Sequence, residues 1–252
     1  MNTSWKEYLY LSVIAGLFCL GNIYSSSINV LAIIIVYVYI LFTNKENALY
    51  LVYFLIPNIR IADNIGITSC INLAMLLCGL KWIIKYYRKI NIYGFLTILF
   101  AFLFSIVNCI QDTVNISYTV SVINIMVDIF IMVAILDLDN GLINIDKITR
   151  YLTIGVAFSM LCYIIVHPSA ISSVFSSNYR IAGYGDDPNY YSIYVLVGMS
   201  LIFLKLLTEK CYLIDYVSLF ALGIVGLLTS SKMFFLCIVA VVLGYYFSLL
   251  FR

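Results

Sequence analysis

The run Met233-Phe234-Phe235-Leu236-Cys237-Ile238-Val239-Ala240-Val241-Val242-Leu243-Gly244-Tyr245-Tyr246-Phe247-Ser248-Leu249-Leu250 carries no charged side chain. It is close to the ~20 residues that a helix needs to cross a hydrocarbon layer of ~30 Å. Towards the N-terminus the same texture recurs, and about ten such segments can be marked off. Their approximate bounds are Tyr8–Ile23, Ile28–Thr43, Ala48–Arg60, Ile65–Ile84, Tyr93–Cys109, Thr119–Leu136, Tyr151–Val166, Tyr190–Leu207, Tyr212–Leu228 and Met233–Leu250. Of the 252 residues 64% are hydrophobic and only 10% charged, and the mean hydropathy is +1.06. A soluble domain carries roughly a quarter charged residues, so the solvent for most of this chain is lipid. Lipid offers the backbone no hydrogen bonds, which leaves helices as the spanning element for segments of this length. The expectation is an all-α, polytopic transmembrane helical bundle, with residues 1–252 forming one integral membrane domain.

The third segment is short and broken by Pro57, which predicts a half-helix or a kinked crossing. The first, from Tyr8, has no A-x-A type cleavage site and runs at once into another span, so it reads as an uncleaved anchor. Cys19, Cys70, Cys78, Cys109, Cys162, Cys211 and Cys237 all lie in or beside apolar runs, without a CxxC pair or a nearby histidine. A zinc site or disulfide framework is not indicated. The formal charge of +2 gives no reason to invoke nucleic acid.

Where the charges fall is more informative. Lys and Arg are retained on the cytoplasmic side. If the cluster Lys81, Lys85, Arg88 and Lys89 is cytoplasmic, alternating spans put Lys6, Lys45, Lys147, Arg150, Lys205, Lys210 and Arg252 on the same side. Of the 14 basic residues only Arg60, Arg180 and Lys232 fall outside. This predicts an even number of crossings with both termini cytoplasmic. It also predicts one large extracytoplasmic loop, 167–189, rich in serine (Ser169, Ser172, Ser173, Ser176, Ser177), and long loops in compact proteins tend to carry function.

That loop ends in Tyr179-Arg180-Ile181-Ala182-Gly183-Tyr184-Gly185-Asp186-Asp187-Pro188-Asn189-Tyr190. Local chain geometry accounts for part of it. The two glycines allow turns, Asp187 suits the N-cap and Pro188 the first position of the next helix. Capping does not account for Arg180. An external arginine beside Gly183 and Gly185 is either a solvated loop residue or an anion clamp, its guanidinium binding phosphate while glycines admit backbone N–H groups.

The order Arg180-x-x-Gly183, then Asp187-Pro188-Asn189 and a span, resembles the central signature of the O-antigen polymerase and O-antigen ligase-like family. Leu227-Leu228-Thr229-Ser230-Ser231-Lys232 is similar to that family's later Thr-x-Ser-Arg segment, with lysine in place of arginine. The resemblance covers Tyr151 to the end, and the earlier spans in hydropathy alone. It implies a metal-independent glycosyl transfer without a cofactor, in which a polyprenyl-pyrophosphate-linked glycan at the outer membrane face donates its sugar chain. It further implies substrate-binding roles for Gly183, Gly185 and Asn189 beside a catalytic Arg180, with the lipid bilayer, a chain-length regulator and a flippase as surroundings and candidate partners. The leaving group is a lipid diphosphate, whose growing charge fixed cations stabilise. No Gly-rich P-loop is present, in keeping with chemistry outside the reach of ATP.

A general base must take the acceptor hydroxyl's proton. Asp186 is the carboxylate left once Asp187 caps the helix. His167, the sole histidine, opens the same loop and is the other candidate, although a helix C-terminal position beside Pro168 accounts for it plainly. Arg60 reads either as a second pyrophosphate contact or as a side chain snorkelling to headgroups. Asp128, mid-span, costs ~2.5–3.5 kcal/mol to insert and is either paired across helices or functional.

Three rivals stand beside the polymerase. A ligase shares the motif, which does not encode the acceptor. A transporter or flippase would use Asp128 as a relay, but should show broken helices in corresponding positions of two halves, and only Pro57 breaks one. An inactive remnant is the third. Family members continue past this point with a further outer loop and spans, so the chain is expected to be a short member, a truncated product or a fragment.

Overall fold

The computed structural model describes residues 5–62, 70–86, 96, 99, 144–177, 180–185, 187–208 and 212–250. Every regular element among them is helical. In chain order these are α1 (Trp5–Ile23), α2 (Ser26–Phe42), α3 (Lys45–Leu55) with a 3-10 turn at Ile56–Asn58, α4 (Cys70–Tyr86), α5 (Ile145–Val166), α6 (Ser169–Ser177), α7 (Pro188–Thr208), α8 (Leu213–Leu228) and α9 (Lys232–Leu250). Most of the segments marked from hydropathy coincide with these helices to within a few residues. The segments Tyr93–Cys109 and Thr119–Leu136, and with them Asp128, lie outside the described residues apart from Leu96 and Leu99.

Helices α5, α7 and α9 are long and apolar enough to cross a membrane. The 22 residues of α5 rise about 33 Å at 1.5 Å per residue, enough for the ~30 Å hydrocarbon layer. Helices α1 (from Tyr8), α2 and α8 are apolar but shorter. Broad apolar faces remain exposed, as at Phe220, Leu236 and Phe247, and lipid is the solvent that tolerates such faces. The chain is a membrane protein with transmembrane helices.

The chain divides into two compact units, 1–32 with 53–68 and 145–252, and 33–52 with 69–144. In the first, α7 packs against α5, α8 and α9, and α5 also meets α1, α8 and the 3-10 turn. Its core joins Leu152, Val156 and Met160 of α5 to Tyr191, Val195, Met199 and Ile202 of α7, with Leu222 and Val225 of α8 and Phe234 of α9. Pro57 breaks the third segment as its ring demands, and side-chain amides bond backbone carbonyls around the break. Asn58 Nδ2 donates to the carbonyls of Phe54 (2.9 Å) and Gly155 (3.1 Å). Asn22 Nδ2 likewise donates to Phe18 O and Ile61 O, both at 2.9 Å.

In the second unit, Lys81 Nζ donates to the carbonyls of Ile40 (2.7 Å), Leu41 (3.0 Å) and Thr43. A cation at the end of α2 thus meets carbonyls that the helix leaves unpaired. Trp82, fully buried, donates from Nε1 to Lys45 O at 3.2 Å, and Lys45 Nζ lies 5.3 Å from its ring centroid.

The serine-rich connection 167–189, expected as a loop, is partly helical. Within α6 the hydroxyls of Ser172 and Ser173 donate back to Ser169 O, and Ser176 to Ser172 O. These serines satisfy their own helix backbone, and Ala170 turns into the core. Among the described residues of this connection, 180–185 around Gly183 are irregular.

Candidate functional site

Two ends of the first unit can be told apart by its polar contacts. At one end, Lys205 near the finish of α7 is 8% exposed and lies 3.2 Å from Asp146 at the start of α5 and 3.1 Å from Asp215 at the start of α8. Asp215 Oδ2 also accepts the backbone N–H of Tyr212 at 2.9 Å. At the other end lie the finish of α5, the segment 180–185, the start of α7 and the junction of α8 with α9. Helices α5 and α8 therefore run one way and α7 and α9 the other.

A buried hydroxyl ties the segment 180–185 to α5 and to the 3-10 turn. Ser159 Oγ, on α5, donates to Pro57 O (3.0 Å) and accepts the N–H of Tyr184 (2.8 Å). The N–H of Arg60 donates to Tyr184 O at 2.9 Å, so the chain after the broken span and the chain after α6 are tied together. Gly183 has φ +56°, the left-handed region that a Cβ disfavours, and a Cβ there would meet Ser159 Oγ at 2.6 Å. A Cβ on Gly185 would meet the Tyr191 ring at 2.8 Å, and its N–H already donates to Ala182 O at 2.9 Å. Both glycines are buried, so close packing alone accounts for them. Tyr184 stacks edge-on against Tyr163, which in turn meets the exposed His167 ring at 4.7 Å. Burial holds the Tyr184 phenol above its ordinary range, so it stays protonated and is no base.

Asp187 and Pro188 serve as the helix start. Asp187 Oδ1 accepts the N–H of Asn189 at 2.7 Å, the expected N-cap bond to the second helical residue, and Pro188 is the first residue of α7.

The two motif segments, distant in sequence, meet at Asn189. Its Oδ1 accepts from Arg180 Nη2 and from Ser231 Oγ, the latter at 2.9 Å. Ser192 Oγ donates to Asn189 O at 2.6 Å and lies 3.3 Å from Ser231 Oγ. The α8–α9 turn that delivers Ser231 is tight. Ser230 takes φ +47°, strained for a residue with a side chain. Thr229 Oγ1 donates to Gly226 O (2.7 Å) and accepts from Ser231 N (3.3 Å). Lys232 follows as the exposed first residue of α9.

Arg60, Arg180 and Lys232 thus lie at one end of this unit, and Lys147, Arg150 and Lys205 at the other. Arg180 and Asn189 are exposed side chains in direct contact; Gly183 and Gly185 are buried against Ser159 and Tyr191, and His167 meets the ring of Tyr163. Asp186 lies outside the described residues. Among the described residues no three His, Cys, Asp or Glu side chains are grouped to hold a metal ion. The sequence reading passed over Ser159 and Ser192. The available signal was a hydroxyl inside an apolar span, which must find a partner. At this end a guanidinium and a side-chain amide, Arg180 and Asn189, are exposed in contact, and Lys232 adds an exposed ammonium at the start of α9; guanidinium, ammonium and amide N–H groups are the donors that suit an anion. No protein-family model, no curated protein and no solved structure matches the chain.

Proposed function

We propose that the chain is a multi-pass enzyme of the cytoplasmic membrane that polymerises polyprenyl-pyrophosphate-linked oligosaccharide units at the outer face. The observation that carries this is the meeting of Arg180, Asn189 and Ser231. The sequence resemblance picked out two separate segments, and one hydrogen-bonded cluster contains residues of both. The gathering of Arg60, Arg180 and Lys232 at one end, away from Lys147, Arg150 and Lys205, supports an outer placement for the cluster and cytoplasmic termini.

In this reading Arg180 binds the donor's pyrophosphate and Lys232 adds a second cation. An acceptor hydroxyl oxygen attacks the anomeric carbon of the donor. The bond from that carbon to the phosphate oxygen breaks, and its electron pair leaves on the lipid pyrophosphate. The hydroxyl proton passes to a carboxylate, for which Asp186 is our choice. Cations fixed where charge develops contribute most in the transition state.

The test is glycan length on a gel, in cells whose sole polymerase carries the substitution. A charge-assisted contact contributes ~1.5–3 kcal/mol, so Arg180→Ala should slow chain growth roughly tenfold or more. Arg180→Lys retains charge without the paired geometry and should be impaired less. Wild-type chain length with Arg180→Ala at normal protein level would sink the assignment.

A further inference from the structure

We propose that Asn189 sets the charge of this anion site: its neutral amide aims the Arg180 guanidinium without neutralising it and presents its own Nδ2 donors to the same phosphate. This rests on the reading that the Arg180 end binds a phosphate-bearing ligand.

A side-chain amide has two unlike ends, one accepting and one donating. Two donors, Arg180 Nη2 and Ser231 Oγ, converge on Oδ1, which fixes the orientation of the group. Nδ2 then carries two N–H donors, and among the described residues no hydrogen bond engages them. Asn189 is exposed at the first turn of α7, with Arg180 on its accepting side. The backbone below is held by Asp187 Oδ1 on the Asn189 N–H and by Ser192 on its carbonyl, so the side chain has a fixed base.

The isosteric alternative is aspartate, and it separates stability from function. A carboxylate would accept the same two bonds and convert the Arg180 contact into an ion pair, stronger than the neutral bond. It would also favour the positive end of α7. Judged by folding alone, aspartate is the better residue. Judged by anion binding it is the worse, because it cancels the guanidinium charge and replaces donors by an acceptor that repels phosphate. Stability and affinity should therefore move in opposite directions at this one position. A purely structural Asn189 would move them together.

The experiment uses the full chain purified in detergent, with inorganic pyrophosphate as the probe, at low salt, by calorimetry and thermal melting. Asn189→Asp should melt higher than wild type and bind pyrophosphate at least tenfold more weakly. Asn189→Ala should melt no higher than wild type and bind more tightly than Asn189→Asp. The gain in melting temperature should vanish in Arg180→Ala/Asn189→Asp compared with Arg180→Ala. A gain of equal size in both backgrounds comes from the helix end alone and overturns the inference, as does Asn189→Asp binding as well as wild type. Either result leaves the polymerase reading standing. Wild type that fails to bind pyrophosphate removes that reading and this inference together.

Discussion

At one end of the α5–α9 bundle a lysine is buried between two carboxylates, and at the other an arginine is exposed against a neutral amide. Lys205, Asp146 and Asp215 come from three helices, and the two carboxylates share the one lysine. Arg180 meets Asn189, and among the described residues no ion pair engages it. The first arrangement consumes its charge in holding helices together. The second keeps its charge available, on a loop that is itself rigidly held through Ser159. Basic residues on a membrane protein are thus of two kinds, and what distinguishes them is the partner each has been given, not the residue type.

The largest effect expected from this contrast is on stability at the Lys205 end. Lys205→Ala leaves Asp146 and Asp215 facing each other without the cation, and breaking a buried pair costs about 3–5 kcal/mol. Thermal melting in detergent should show a large fall. Lys205→Met combined with Asp146→Asn and Asp215→Asn removes all three charges and should recover much of it. A Lys205→Ala protein that melts like wild type would erase the difference between the two ends.

Next in size is the seat of the Arg180 segment. Gly183→Ala introduces a Cβ at φ +56°, 2.6 Å from Ser159 Oγ. The left-handed conformation alone costs roughly 1–2 kcal/mol, and displacing the Ser159 hydroxyl adds the loss of its bond to Tyr184. Melting temperature and chain growth should both fall, because the segment that carries Arg180 is no longer seated. Loss of neither would mean that the clamp positions nothing.

The smallest effect on stability belongs to Arg180 itself. An exposed side chain of this kind changes stability by within about 0.5 kcal/mol when truncated, so Arg180→Ala should melt close to wild type. Paired with the loss of chain growth, that result sharpens the contrast: Lys205 matters to the fold and Arg180 to the chemistry.

The apolar helices were legible because lipid imposes a simple requirement, a long apolar run whose backbone satisfies itself; three of them are long enough to cross a membrane. Pro57 as a break and Asp187-Pro188 as a helix start were legible for a similar reason, since each acts through its immediate neighbours. Residues 167–189 were harder. Serine reads as loop in a polarity scan, yet in α6 serines at 172, 173 and 176 turn back on their own helix carbonyls, a local bond that composition does not reveal. Gly183 and Gly185 suggested room for a ligand, and the close neighbours turned out to be Ser159 and Tyr191. Ser159 lies one helix away from Tyr184, and Ser231 two helices away from Asn189. Pairings of that kind depend on how helices pack, and spacing along the chain does not contain them.

The contrast between the ends is tested most directly by photo-crosslinking in living cells. A benzophenone amino acid replaces Met233, exposed beside Lys232 at the Arg180 end, or Leu213 at the Lys205 end, and adducts are resolved by gel and probed for glycan. The expected result is a ladder of lipid-linked glycan attached at position 233 and none at position 213. Glycan captured at position 213 instead, or equally at both, would contradict it.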